Sequence, residues 1–108
     1  MRGQDCRLFP EGRINLVITK YYIANCFHCK HIEQTFADLK KQFECEQIKF
    51  REVFVAGESD LTRKLKLHIF PAVIITDNEG NTLERVEGVI LPKELKKMVE
   101  GAVRSVND

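Results

Sequence analysis

A chain of 108 residues is long enough for a single domain to bury a hydrophobic core without disulfides or metal to hold it together. Its 17 Lys and Arg stand against 16 Asp and Glu, and with no basic run, arm or aromatic-basic stripe it carries no nucleic-acid footprint. No apolar run approaches the length of a membrane span, and the opening MRGQDCRLFPEG lacks the hydrophobic stretch of a secretory signal. Neither a nucleic acid nor a membrane is therefore expected as a partner, and the expected location is cytoplasmic; a leader removed ahead of Met1 would instead place the chain in the periplasm or outside the cell.

Residues 1–11 read as an N-terminal extension of one domain spanning 1–108. Residues 14–22, INLVITKYY, are rich in β-branched and aromatic types and nearly continuously apolar, the pattern of an interior strand covered on both faces. From Cys29 onward Ile32, Phe36, Leu39 and Phe43 recur at helical spacing, with Glu33, Gln34, Asp38, Lys40 and Lys41 on the remaining face, which predicts an amphipathic helix. The stretch NCFHCKH, residues 25–31, sits at its start. Residues 48–55, IKFREVFV, predict a second strand, and in the following GESD either Ser59 or Asp60 suits the cap of a short helix near 60–67. IFPAVIIT predicts a strand that begins at Pro71, where no ladder hydrogen bond is lost, then DNEGN a Gly-bearing hairpin turn and TLERVEG its partner strand. Pro92 suits the first turn of a last helix whose stripe is Leu95, Met98, Val99, Ala102, Val103 and Val106. The order β-α-β-α-β-β-α implies an α/β fold, with a central mixed sheet, parallel in part, flanked by helices on both faces.

A lone C-x-x-C beside alternating strands and helices points to redox or to metal chemistry. Cys26, Cys29 and His31, with Cys45 or His28 as a fourth ligand, supply atoms of the zinc type. Against zinc stand the lack of a second paired knuckle and the helical spacing, which turns Cys29 toward the core with Ile32 while His31 lies two residues round the helix. Covalent haem attachment requires C-x-x-C-H, and Lys30 occupies the place of that histidine. Cys6, in the N-terminal segment, and Cys45, just after the helix, read as thiols without a task; four cysteines allow three pairings, so a Cys6–Cys45 bridge stays open.

Together these residues resemble the thioredoxin fold family, specifically the thioredoxins and thioredoxin-like disulfide oxidoreductases, over roughly residues 12–106. The resemblance is carried by the C-x-x-C between a long strand and a helix, by the Phe70-Pro71 step before AVIIT, and by Gly88 at the end of the hairpin's second strand. It implies that Pro71 is cis and lies beside the cysteine pair, where its backbone and that of Phe70 hold extended substrate. Phe27, Phe70 and Val89 are the expected contact surface. The family also implies protein disulfides as substrates, a thioredoxin-reductase-like or other electron donor, no cofactor, and a monomer.

The attacking species in such exchange is a thiolate, and a free thiol of pKa about 8.5 is mostly protonated at neutral pH. A helix N-terminus favours the thiolate, and His28, Lys30 and His31 add positive charge nearby. Cys26 is thus the expected nucleophile, and Cys29 the cysteine that resolves the mixed disulfide and leaves Cys26–Cys29 oxidised. Phe27-His28 stands where thioredoxins carry Gly-Pro. A histidine just before the second cysteine resembles the oxidising, DsbA-like branch, in which it stabilises the thiolate and with it the reduced protein. His31 reads as a surface or packing residue.

A second departure concerns charge. Thioredoxins typically carry a buried acid six residues before the first cysteine, paired with a lysine on the neighbouring strand; here those places hold Lys20 and Glu52. Strand alternation puts Lys20 with Leu16 and Ile18, and Glu52 with Ile48 and Phe50, so both face the layer under the cysteine helix with their charges exchanged. Buried together they should pair, and Glu52 would accept the proton of Cys29; placed near strand ends, both would reach water instead. The reading is a protein-disulfide reductant. Its alternatives are an oxidase or isomerase biased by His28, a zinc site, and a non-catalytic adaptor that binds through the Pro71 groove, against which two intact cysteines argue.

Overall fold

The β-branched and aromatic run Leu16–Tyr22 forms β1, which is hydrogen-bonded to a neighbour along each of its edges, as its near-continuous apolar pattern predicts. The computed structural model describes residues 16–56 and 60–107; the extension 1–11, Cys6 and Ser59 lie outside the described residues. The chain continues with α1 (Phe27–His31), α2 (Glu33–Phe43), β2 (Ile48–Phe54), α3 (Asp60–Leu65), β3 (Ala72–Thr76), β4 (Thr82–Glu87) and α4 (Pro92–Asn107). The sheet order is β2-β1-β3-β4. β2 runs parallel to β1, with Lys20 opposite Glu52. β3 runs antiparallel to β1, with Tyr21 opposite Ala72, and β4 is its hairpin partner. This is the mixed, partly parallel sheet of an α/β fold.

Alternation of side chains divides the sheet into two faces. On one face Leu16, Ile18, Phe50, Val73 and Ile75 meet Phe36 and Leu39 of α2 and Leu95 and Val99 of α4. On the other, Tyr21, Ala72 and Ile74 pack with Val55 and Leu67, and Leu65 of α3 lies against them. Burying one such side chain stabilises by about 2 kcal/mol, so the stripe Ile32, Phe36 and Leu39, at most 2% exposed, is what seats α2 on the sheet. Phe36 anchors it, with its ring edge-to-face on Phe50 at 5.5 Å between centroids.

The single helix expected over the cysteine motif and the stripe behind it is in fact two. The backbone leaves helical geometry at Ile32 (φ −105°, ψ 3°), which ends α1 and begins α2. Helix restarts at once, because the Phe36 N–H donates to the Ile32 carbonyl at 2.9 Å. No Gly or Pro marks the break, and Ile32 stays fully buried through it, so the apolar spacing continues across a backbone irregularity that it does not report.

α3 is also shorter than expected, because Lys66 takes a left-handed conformation (φ 55°). Lys66 N–H then donates to Arg63 C=O and Leu67 N–H to Thr62 C=O, at 3.3 and 2.9 Å, which is the bond pattern of a Schellman cap. Arg85 of β4 completes the end: its guanidinium donates to the carbonyls of Leu65 (2.7 Å) and Lys66 (3.0 Å) and pairs with Glu87 at 2.6 Å. The connection leading to Pro71 is therefore tied to the hairpin. Beyond β4, Gly88 has φ +87° and donates its N–H to Pro71 C=O at 3.0 Å, and a Cβ there would make a tight 3.3 Å contact with Ile69 Cγ2.

Gly88→Ala should accordingly destabilise the fold by about 1–2 kcal/mol, through left-handed strain and the Ile69 contact, read as a lower urea midpoint with an unchanged slope. In the hairpin turn, the Asp77 carboxylate accepts the backbone N–H groups of Asn81 and Glu79, each at 2.9 Å. The Asn81 bond leads in holding this carboxyl below its ordinary value of 3.8. A depressed carboxylate contributes stability that is present above that ordinary value and lost as pH falls through the lowered one. The melting-temperature gap between the wild type and Asp77→Ala should therefore be open at neutral pH and close progressively in acid.

Candidate active site

β1 ends at Tyr22, and the chain turns through Asn25, whose positive φ of 53° is one that Asn tolerates well. This turn delivers Cys26 to the N-cap of α1 in an extended conformation, with its Sγ accepting the Cys29 N–H at 3.1 Å. The sulfur thus occupies the position of a capping acceptor, where negative charge is favoured. Cys26 and Cys29 are joined in a disulfide, with their Cα atoms 5.2 Å apart. The two sulfurs differ in surroundings: Cys26 is half-buried, whereas Cys29 is only 6% exposed.

The exposed face of α1 is basic and aromatic, with His28, Lys30 and His31 and no acidic residue in the first turn. Phe27 is 76% exposed; its ring meets His28 edge-on at 5.5 Å and stacks on His31 at 6.3 Å. His28 is exposed beside the disulfide, and His31 serves as a packing partner of Phe27.

The Phe70–Pro71 peptide is cis. Because Tyr21 at the end of β1 lies opposite Ala72 at the start of β3, Pro71 stands at the same end of the sheet at which β1 delivers Cys26. Val89 is exposed there, as expected. Phe70 corrects an expectation: its side chain is half-buried against the Tyr21–Leu67 cluster, so it offers little free surface. Ile69 and Leu91, both exposed, flank the segment instead, and sequence reading missed them because each sits in an apolar context that suggested burial. Phe70 also lines, with Ile23, Ala24, Phe54, Val55 and Leu67, an apolar cavity of about 650 Å³ beside the cysteine loop.

The exchanged charge pair lines one cleft with the two cysteines. Lys20 Nζ is 3.7 Å from Glu52 Oε2, as the parallel register of β1 and β2 requires. The expectation that both would be buried, or that both would reach water, holds for neither: Lys20 is 3% exposed and Glu52 47%. The difference comes from cover. Lys20 lies under Phe36, with Nζ 5.1 Å from that ring's centroid and 5.5 Å from Tyr22's, while Glu52 is on the outer strand of the described sheet. A cleft of about 240 Å³ joins this pair to the active site, lined by Lys20, Glu52, Cys26, Cys29, Lys30 and Glu33 among others.

Cys45, expected as a thiol without a task, is instead disulfide-bonded, and it sits half-buried against the main core. Among the described residues no group of three or more His, Cys, Asp and Glu side chains is arranged to hold a metal ion, and no helix is long and apolar enough to cross a membrane.

Comparison with known proteins follows the same lines. Residues 11–101 match the thioredoxin family. No curated protein sequence matches the chain. Among solved structures, the oxidised thioredoxin of Plasmodium falciparum is similar at 24% identity, covering 82% of each chain with a TM-score of 0.68. The germline-specific thioredoxin Deadhead of Drosophila melanogaster is similar at 20% identity, over 81% of this chain and 80% of that one, with a TM-score of 0.70. Thioredoxin-2, a component of the malaria parasite's protein secretion machinery, gives a TM-score of 0.69 at 17% identity, over 81% of this chain and 82% of its own. With a cysteine pair at a helix start, one sulfur accessible and one buried, and a cis-proline at the same end of the sheet, the chain belongs to the thioredoxin family of thiol–disulfide oxidoreductases.

Proposed function

We propose that the chain reduces protein disulfides in the cytoplasm as a monomer, receiving electrons from a reductase-type donor and passing them on through Cys26 and Cys29. The observation that carries this reading is the asymmetry of the pair, a half-buried sulfur at the N-cap of α1 over a buried one three residues on. Cys26 as thiolate attacks one sulfur of the substrate disulfide and expels the other as a thiolate. Cys29 then attacks Cys26 Sγ, the Cys26–Cys29 bond forms, and the second substrate sulfur leaves; two electrons have passed to the substrate. Phe27, Val89 and the Phe70–Pro71 backbone are the surface on which an extended substrate would lie.

Glu52 would take the proton of Cys29, a reading supported by the cleft that both line and by the access of Glu52 to solvent. Lys20 holds that carboxylate toward the cleft at 3.7 Å. The basic residues His28, Lys30 and His31, on the helix that Cys26 caps, support a second reading in which a stabilised thiolate makes the disulfide an oxidant.

The Cys26–Cys29 potential measured against glutathione separates the two readings. A value at or below about −220 to −260 mV supports the reductant, and one well above it the oxidant. Cys29→Ser should trap substrate on Cys26 as a stable mixed disulfide visible by mass, while Cys26→Ser should reduce turnover to background; traps forming on Cys29 in the second variant would reverse the two roles. Glu52→Gln should slow resolution of the mixed disulfide by about a hundredfold near neutral pH, with the gap closing above the ordinary thiol value of about 8.5. Equal single-turnover rates for Glu52→Gln and wild type across that range would remove Glu52 as acceptor.

A further inference from the structure

The two charges of the Lys20–Glu52 pair are unequally screened. A charge enclosed by protein acts through a far lower effective dielectric than one that reaches water. At 3% against 47% exposure, the field of Lys20 carries into the cleft and that of Glu52 is largely lost to solvent. The rings of Phe36 and Tyr22, 5.1 and 5.5 Å from Nζ, hold a cation without neutralising it. The other charged groups lining this cleft, Lys30 and Glu33, are exposed and of opposite sign. Cys29 lines the same cleft, and it is the sulfur that burial alone would keep as a thiol.

We infer that Lys20 favours the thiolate of Cys29 in the reduced protein, so that the buried sulfur gives up its proton more readily for the resolving step under the influence of a buried cation in the same cleft. The inference rests on the disulfide-exchange reading above. In the step concerned, the Cys29 thiolate attacks Cys26 Sγ of the mixed disulfide. The Cys26–Cys29 bond forms, the bond from Cys26 to substrate breaks, and the substrate sulfur departs with the electron pair and takes its proton from solvent. Proton transfer from an ordinary thiol to an ordinary carboxylate runs uphill by about four pKa units. A buried cation lining the same cleft narrows that gap, and in this way Lys20, acting through Cys29, opens the route to Glu52. The same cation stabilises the dithiol state and not the uncharged disulfide, so it also makes the couple more oxidising.

The test follows the Cys29 Cβ resonance against pH in isotope-labelled Cys26→Ser protein, where Cys29 is no longer bound to Cys26. A titration midpoint below the ordinary 8.5 or so is expected. Adding Lys20→Met should raise it by at least about one unit, and Lys20→Arg, which keeps the cation, should leave it low. With both cysteines present, Lys20→Met should shift the equilibrium with glutathione about tenfold toward the disulfide, equivalent to about 30 mV. A midpoint at or above 8.5 with Lys20 in place overturns the inference without any change at Lys20, and so does a midpoint that Lys20→Met leaves unmoved in a folded protein. If the wild-type pair fails to exchange with glutathione at all, the parent reading falls, while the Cys29 titration still reports on Lys20.

Discussion

Hydrogen bonding of β1 along both edges is the constraint on which the site depends. On one edge the parallel register with β2 sets Lys20 opposite Glu52, and no other pairing of these strands would oppose the two charges while keeping Leu16, Ile18, Ile48 and Phe50 on the core face. On the other edge the antiparallel register with β3 sets Tyr21 opposite Ala72, which brings the cis Phe70–Pro71 step to the end of the sheet where the cysteines emerge. A slip of one residue on either side would turn an apolar face to solvent and take the site apart, so core packing and site assembly are enforced by the same hydrogen bonds.

The cysteine pair is then graded by depth. Cys26 caps a helix at a half-buried position and Cys29 is buried, while the cleft that Cys29 lines also holds the Lys20 ammonium group. Burial opposes charge on a sulfur, and a cap or a nearby cation favours it. The chain puts a backbone cap at the outer sulfur and a buried lysine in the cleft that the inner one lines. Burying Lys20 is tolerable because it keeps a carboxylate partner and two ring faces.

Much of the fold was legible from local pattern. The interior character of β1 followed from its unbroken apolar run, the hairpin from DNEGN, and α4 from Pro92 and its stripe, and these signals are short-range ones that neighbouring residues carry in full. Two features were not legible. The break at Ile32 leaves the apolar period intact, and the left-handed Lys66 is stabilised by a cap whose carbonyls are satisfied by Arg85, nineteen or twenty residues away. Phe70 misled for a similar reason: an aromatic before proline says nothing of whether a cluster from β1, β2 and β3 will take in its ring.

By itself the sequence determined the chemistry available to this protein: a C-x-x-C at a helix start, a proline ahead of a strand, and a lysine and a glutamate on matching sides of two strands. Only the tertiary structure decided how those groups differ from one another. It closed Phe36 over Lys20 and left Glu52 on the solvent side. The physical reason is that residue type and spacing specify which groups can ionise or attack, whereas the free energy of a charge depends on the solvent around it, and solvent access is settled by which elements pack over which.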